Sequence, residues 1–194
     1  MYAAAALISY LLGSIPTAYI AVKLATGKNI WEVGSRNVGA LNTYRATGSK
    51  ILFVAVVVLD VLKAILALWI VQNYFPSALW LAPFFIVLGH NYPVWTRFRG
   101  GRGIAVMLAS ALYLDWKFAV IWAALWAVGY AVSGYIAVGA MLGHIFTPAI
   151  YYVLFGSVPE ALVLALIPVW LRYREKAELL VRGELPKHYW GGKG

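Results

Sequence analysis

The sequence predicts an all-α integral membrane protein: a compact bundle of about seven transmembrane helices with substrate-binding loops on its cytoplasmic side. Three observations lead there. Of 194 residues, 63% are hydrophobic and 12% charged, about half the charged share of an average soluble domain. The apolar residues fall in successive runs joined by short connections, which leaves no length for a separate soluble module, so residues 1–194 read as one domain. Lys and Arg gather in alternate connections, as membrane topology requires.

Runs able to cross about 30 Å of hydrocarbon lie near residues 3–22, 51–72, 78–95, 104–114, 117–132, 135–155 and 159–172. The first run leads from Met1 into GSIPTAYIAVK with no basic stretch before it, and reads as a retained span, not a cleaved signal. Gly13, Ser14, Pro16, Thr17 and Ala18 near its end predict a kink and a small-residue packing surface. The fourth run is too short for a straight span and is compatible with a re-entrant segment, a merger with the fifth, or extension through the preceding loop. Lys23, Lys28, Arg36, Arg45 and Lys50 lie in the first connection, Arg97, Arg99 and Arg102 in the third, and six more cations in the tail. The connections 73–77 and 156–158 carry none, and Lys117 sits at the expected turn between the fourth and fifth runs. The positive-inside rule then puts the N-terminus outside and the C-terminus in the cytoplasm, with an odd number of spans. Topology and anionic lipids account for the net charge of +9, so nucleic acid is not expected as a partner. Cysteine is absent, which excludes disulfides and thiolate chemistry.

In the first connection, VGSRNVGALNTYR (33–45) is rich in small hydrogen-bonding residues. It fits two readings: a set of turns, or half a ligand site in which Ser35, Asn37 and Asn42 donate to oxygens and Arg45 makes a bidentate contact. Within the second span, Asp60 and Lys63 stand one helical turn apart and are expected to pair, as a structural element or as part of a site. Residues 89–106, GHNYPVWTRFRGGRGIAV, place three arginines and four glycines between apolar runs. Here too a plain basic loop competes with an anion cradle. In the cradle, Gly100, Gly101 and Gly103 let consecutive N–H groups converge, Arg97, Arg99 and Arg102 supply charge, and a helix opening at Ile104 adds its positive end. His90 reads as a general acid or base, or as an interfacial histidine. His144, in MLGHIF, reads as a neutral histidine bonded to another helix. Ser133, Gly134 and Tyr135 predict a tight cytoplasmic turn. The tail is expected to continue the last span as an amphipathic helix, to break at Gly183 and Pro186, and to place His188, Tyr189, Trp190 and Lys193 in the headgroup layer. No residue pattern at metal-ligand spacing is present, and no metal or cofactor is expected.

LLGSIPTAY, VGSRNVGALNTYR, LDVLKA and GHNYPVWTRFRGGRGIAV, in this order, resemble the motifs of the membrane acyl-phosphate:glycerol-3-phosphate 1-acyltransferases, the PlsY family, over roughly residues 8–110. The resemblance implies a seven-span enzyme that moves a fatty acyl group from acyl phosphate to the 1-hydroxyl of glycerol 3-phosphate and yields lysophosphatidic acid, a step of phospholipid biosynthesis. It implies Ser35, Arg45 and His90 as catalytic residues, with Asn37, Asn42, Gly100, Gly101, Arg102 and Gly103 binding substrate. Arg36, Leu41, Ala64 and Arg102 depart from the family's glycine, threonine, glycine and lysine. In RYREKAELLVRGE, Tyr173 and Lys176 stand at a histidine and an asparagine of the third family motif, while Glu175 and Gly183 match and Glu184 matches with a small shift of register. A changed donor or acceptor is therefore an open alternative. The chemistry asks mainly for positioning of two anionic substrates, because acyl phosphate is already activated. Its proton acceptor is either His90 or a substrate phosphate oxygen, and an apolar groove between helices receives the chain. Acyl phosphate, glycerol 3-phosphate and membrane lipids are the expected partners of a monomer. A transporter or lipid-binding protein is the rival reading, against which stand the lack of an inverted repeat and the clustering of polar groups on one face.

Overall fold

The computed structural model describes residues 1–185, so the expected break at Pro186 and headgroup placement of His188, Tyr189, Trp190 and Lys193 lie outside the described residues. The described residues are helical and carry no strand. Every one of the seven apolar runs is helical, and four helices among the described residues are long and apolar enough to cross a membrane: Tyr2–Thr26, Lys50–Tyr74, Trp116–Ser133 and Ile136–Phe155.

The first of these is broken, as its Gly-Ser-Ile-Pro predicts, into α1 (Tyr2–Gly13) and α2 (Thr17–Thr26). Proline has no N–H to continue the ladder. Gly48, left-handed at φ 69°, ends α3 (Ala40–Thr47). That helix lies inside the first connection, where the sequence pattern points to turns and a ligand half-site but to no helix. Ser49 then caps α4 (Lys50–Tyr74), its hydroxyl accepting from the Leu52 N–H at 3.2 Å. On α4, Ile51, Val54, Val58, Leu62, Leu66 and Trp69 form one exposed stripe, whereas Val56, Asp60, Lys63, Ala64, Ala67 and Val71 are buried. The helix thus turns an apolar face to lipid and its two ionisable groups inward, as the cost of charge in hydrocarbon demands.

The third run is a 3₁₀ turn at Pro76–Leu81 followed by α5 (Ala82–Asn91). The run was expected to extend to residue 95, but α5 stops at Asn91 because Pro93 disfavours a helical Tyr92. Close packing of α1 on α5 depends on Gly13 and Gly89, since a Cβ at either would collide with the Ile86 or Tyr10 carbonyl across the interface. The fourth run is a separate helix, α6 (Ile104–Leu114), and Asp115 starts α7 (Trp116–Ser133) by accepting from the Lys117 N–H at 3.1 Å. With the expected turn at Gly134 between them, α7 packs extensively on α8 (Ile136–Phe155), and a Cβ on Gly129 would meet Gly139 Cα at 2.8 Å. The last helix, α9 (Glu160–Val181), continues from the apolar run into the polar tail and ends before Gly183, φ 72°.

His144 differs from expectation. Its Nδ1 hydrogen-bonds the Ala140 carbonyl of its own helix, and its ring packs against Trp122, Trp170 and Tyr173 from α7 and α9. The turn-back bond satisfies Nδ1 within its own helix, and Nε2 is buried without a hydrogen-bond partner among the described residues.

Candidate active site

The break in the first span sets up the site. It leaves the Ile15 carbonyl outside the helical ladder, and Lys63 Nζ of α4 donates to it at 2.8 Å. Thr17, the first residue of α2, donates through its hydroxyl to Asp60 Oδ1 at 2.7 Å. Asp60 Oδ1 also pairs with Lys63 at 2.7 Å, as the one-turn spacing predicts. Both members are buried, and the additional hydrogen bonds are what make such a pair tolerable inside a bundle. His90, at the end of α5, completes the cluster, with Nδ1 3.1 Å from Lys63 Nζ.

The glycine loop closes over this cluster. Gly101 donates its N–H to the His90 carbonyl at 3.0 Å. A Cβ on Gly101 would collide with His90 Nε2 and press on the Val38 carbonyl, and one on Gly100 would collide with the His90 carbonyl and Pro93. Only glycine permits this approach. Arg172 of α9 holds the other side of the loop, donating from Nε to the Gly101 carbonyl at 3.1 Å and from Nη2 to the Gly100 carbonyl at 3.0 Å. The expected run of free N–H groups is therefore narrower than the sequence suggests, because the Gly101 N–H is already taken. Gly103, left-handed at φ 81°, leads into α6 at Ile104 as expected, and the first turn of α6 supplies N–H groups without intrahelical partners.

A cavity of about 480 Å³ opens here. Its polar end carries Asn37, Asp60, His90, Arg102 and Gly103, and its apolar wall carries Val57 and Val61 of α4 with Leu108 and Leu112 of α6. Loops one and three thus meet at one cavity. Arg97 and Arg99 do not take part: both are exposed and line a separate cavity of about 460 Å³ with Tyr19, Trp31 and Trp95.

Ser35 and Arg45 are not in the cavity lining; Asn42 fixes the loop that carries Ser35, and Arg45 stands in the field of Arg102. Asn42 Oδ1 accepts from the Ser35 N–H at 2.7 Å, and its Nδ2 donates to the Ile30 and Val33 carbonyls at 3.2 and 3.1 Å. Both amide hydrogens are thus committed to folding loop one. Arg45 is half-buried, and burial followed by the charge of Arg102 holds its pKa below the ordinary arginine value. Lys176 of α9 is lowered by the same two causes in the same order. Three cations from three elements therefore share one field that an anion would neutralise.

Three contributors were not singled out from the sequence as site residues. Thr17 was read as packing, Arg172 as tail charge, and Tyr173 as a departure from a motif. Tyr173 is buried, lines the cavity and lies under the Arg102 guanidinium, 5.8 Å from its ring centre. The signal for Thr17 is a hydroxyl directly after a proline inside an apolar run. That for Arg172 is an arginine at the inner end of the last span. Arg36 takes a left-handed backbone at φ 57°, a conformation that costs a side-chain-bearing residue about 1 kcal/mol.

Comparison with known proteins agrees with this architecture. A family model described as glycerol-3-phosphate acyltransferase matches residues 3–183. The glycerol-3-phosphate acyltransferase of Pelagibacter ubique is 32% identical over 187 residues, covering 96% of this chain and 97% of its own. That of Agrobacterium fabrum is 36% identical over 195 residues, covering 94% and 90%. The crystal structure of PlsY, an integral membrane glycerol 3-phosphate acyltransferase, in its glycerol 3-phosphate form superposes with a TM-score of 0.83 at 29% identity, covering 97% of this chain and 96% of that one. Its lysophosphatidic acid form superposes with a TM-score of 0.78 at 28% identity and the same coverage. The broken first span, the glycine loop folded over a buried histidine and the extent of these matches lead to one conclusion: the chain belongs to the glycerol-3-phosphate acyltransferase family of integral membrane enzymes, the PlsY family.

Proposed function

We propose that this protein transfers a fatty acyl group from acyl phosphate to the 1-hydroxyl of glycerol 3-phosphate, giving lysophosphatidic acid and inorganic phosphate. The observation that carries the reading is the two-ended cavity, with Arg102, His90 and Asn37 at one end and the aliphatic wall of α4 and α6 at the other. Such a cavity suits a substrate with an anionic head and a long chain. The relatives' names and the two ligand forms of PlsY support the same assignment.

In this reading Arg45 and Arg102 clamp phosphate, Ser35 and Asn37 orient it, and Asn42 holds loop one in place. Gly100, Gly101 and Gly103 let the loop approach, with the first turn of α6 facing the anion. Asp60 and Lys63 belong to the wall of the site. The glycerol 1-oxygen bonds to the acyl carbonyl carbon, the bond from that carbon to the phosphate oxygen breaks, and the phosphate leaves with the electron pair. The hydroxyl proton ends on the departing phosphate. Catalysis comes from holding two anions together with hydroxyl and carbonyl in contact. By the positive-inside rule the site faces the cytoplasm and the N-terminus lies outside, and the compact chain acts as a monomer.

The test is transfer of label from radiolabelled palmitoyl phosphate to glycerol 3-phosphate by purified protein in a lipid mesophase. Lysophosphatidic acid is expected from the unmodified protein, with a loss of about 100-fold or more in Ser35→Ala and Arg45→Ala. Product from another phosphorylated acceptor in a parallel panel, and none from glycerol 3-phosphate, would overturn the acceptor. Lys176, which adds a positive charge beside Arg102, is the observation that makes that panel worth running.

A further inference from the structure

Lys63 Nζ has three hydrogens and meets three acceptors among the described residues: the Ile15 carbonyl at 2.8 Å, Asp60 Oδ1 at 2.7 Å and His90 Nδ1 at 3.1 Å. An ammonium group only donates. Nδ1 therefore accepts and carries no hydrogen, and the ring proton of a neutral imidazole must sit on Nε2. The alternative partner for an Nδ1 hydrogen, Asp60 Oδ1, is farther away at 3.5 Å and already accepts from both Lys63 and Thr17. Nε2 has no hydrogen-bond partner among the described residues, lies against the Cβ-less face of Gly101, and belongs to a side chain that lines the cavity with Arg102.

We propose that Asp60 and Lys63 form a tautomer lock that keeps the ring hydrogen of His90 on Nε2, so that this side chain serves the cavity as a hydrogen-bond donor. The lock needs every part of the local fold. The break between α1 and α2 turns the Ile15 carbonyl, which also accepts from the Thr17 N–H at 3.0 Å, to Lys63, Thr17 fixes the Asp60 carboxylate, and Lys63, with its other two hydrogens taken, has one left for Nδ1. A base must offer a lone pair to the hydroxyl proton, and the lone pair of His90 is turned away from the substrate and occupied. What it offers instead is an N–H able to donate to an anionic oxygen, either on a substrate phosphate or on the carbonyl as it gains charge. Asp60 and Lys63 are positioning residues, while His90 touches substrate. The donor role rests on the acyl-transfer reading above; the tautomer does not.

Two measurements test this. In protein labelled with ¹⁵N-histidine, the His90 nitrogens, identified among the three histidines by their loss in His90→Gln, are expected to show an unprotonated Nδ1 and a protonated Nε2 at neutral pH. In Lys63→Met the Nδ1-protonated form is expected to appear, because the ring is free to turn its hydrogen to Asp60. A protonated Nδ1 in the unmodified protein, or an unchanged pattern in a folded Lys63→Met, overturns the lock. The second measurement is kcat for His90→Gln and His90→Ala. Gln places an amide N–H near the position of Nε2–H but offers no basic nitrogen. Retention within about tenfold in His90→Gln, against a loss of about 100-fold or more in His90→Ala, is expected for a donor. Equal loss in both overturns the donor role even if Lys63→Met fails to fold. If the unmodified protein makes no product, the acyl-transfer reading falls while the nitrogen spectra still decide the lock.

Discussion

Lys176 shows how much one residue can alter this site. It stands where the family pattern has asparagine, one turn beyond Arg172 on α9, and burial together with the Arg102 charge holds its pKa below that of an ordinary lysine. As pH rises through that lowered value the amine loses its proton and the site loses a positive charge, so KM for glycerol 3-phosphate rises on the alkaline side. Lys176→Arg keeps the charge at all accessible pH values. We expect KM to stay flat in that variant where the unmodified protein turns upward, as a pH series of initial rates reads directly. Asn37, His90 and Arg102, which line the cavity, stand out in the sequence because each breaks the composition around it, a polar or basic side chain among glycines beside an apolar run; Ser35 and Arg45 stand out in the same way but lie off the lining. Their contacts were not legible. Nothing in the spacing of Asn42 tells that both its amide hydrogens go to the Ile30 and Val33 carbonyls while its oxygen takes the Ser35 N–H.

At the scale of elements, the glycine loop is held from two sides, by the His90 carbonyl on α5 and by Arg172 on α9. Removing the guanidinium leaves two buried carbonyls without a donor and the loop without its clamp. Arg172→Ala is expected to reduce kcat/KM for glycerol 3-phosphate by about 30-fold or more, with the bundle still folded, since the side chain lies where the apolar run of α9 gives way to its polar stretch and not in the apolar core. Steady-state kinetics beside a thermal melt check this; unfolding at room temperature would refute it. The helices themselves follow from apolar run length, and the break at Pro16 from proline chemistry. By contrast, α3 is eight residues between Gly39 and Gly48, with too few turns to show a period against its polar residues. The partners of Arg172 lie more than 70 positions away in the chain, a distance that no local pattern reports.

At the scale of the whole molecule, the bundle joins a charged end to an apolar wall reached from the lipid. Val57 and Val61 face Leu108 and Leu112 along the cavity, and Leu112 is largely exposed, so a chain entering from the membrane meets it. Leu112→Trp is expected to lower kcat/KM for palmitoyl phosphate by about tenfold and that for a much shorter acyl phosphate by less, the size of effect that added bulk has in an apolar specificity pocket. A competition assay with mixed donors reads the ratio.

The most direct test of the account is the position of glycerol 3-phosphate in a crystal structure of this protein grown from a lipid mesophase. The account predicts its phosphate between Arg45 and Arg102 at the first turn of α6, with the 1-hydroxyl facing the apolar half of the cavity. A phosphate seated instead on Arg97 and Arg99, in the cavity walled by Tyr19, Trp31 and Trp95, would contradict it.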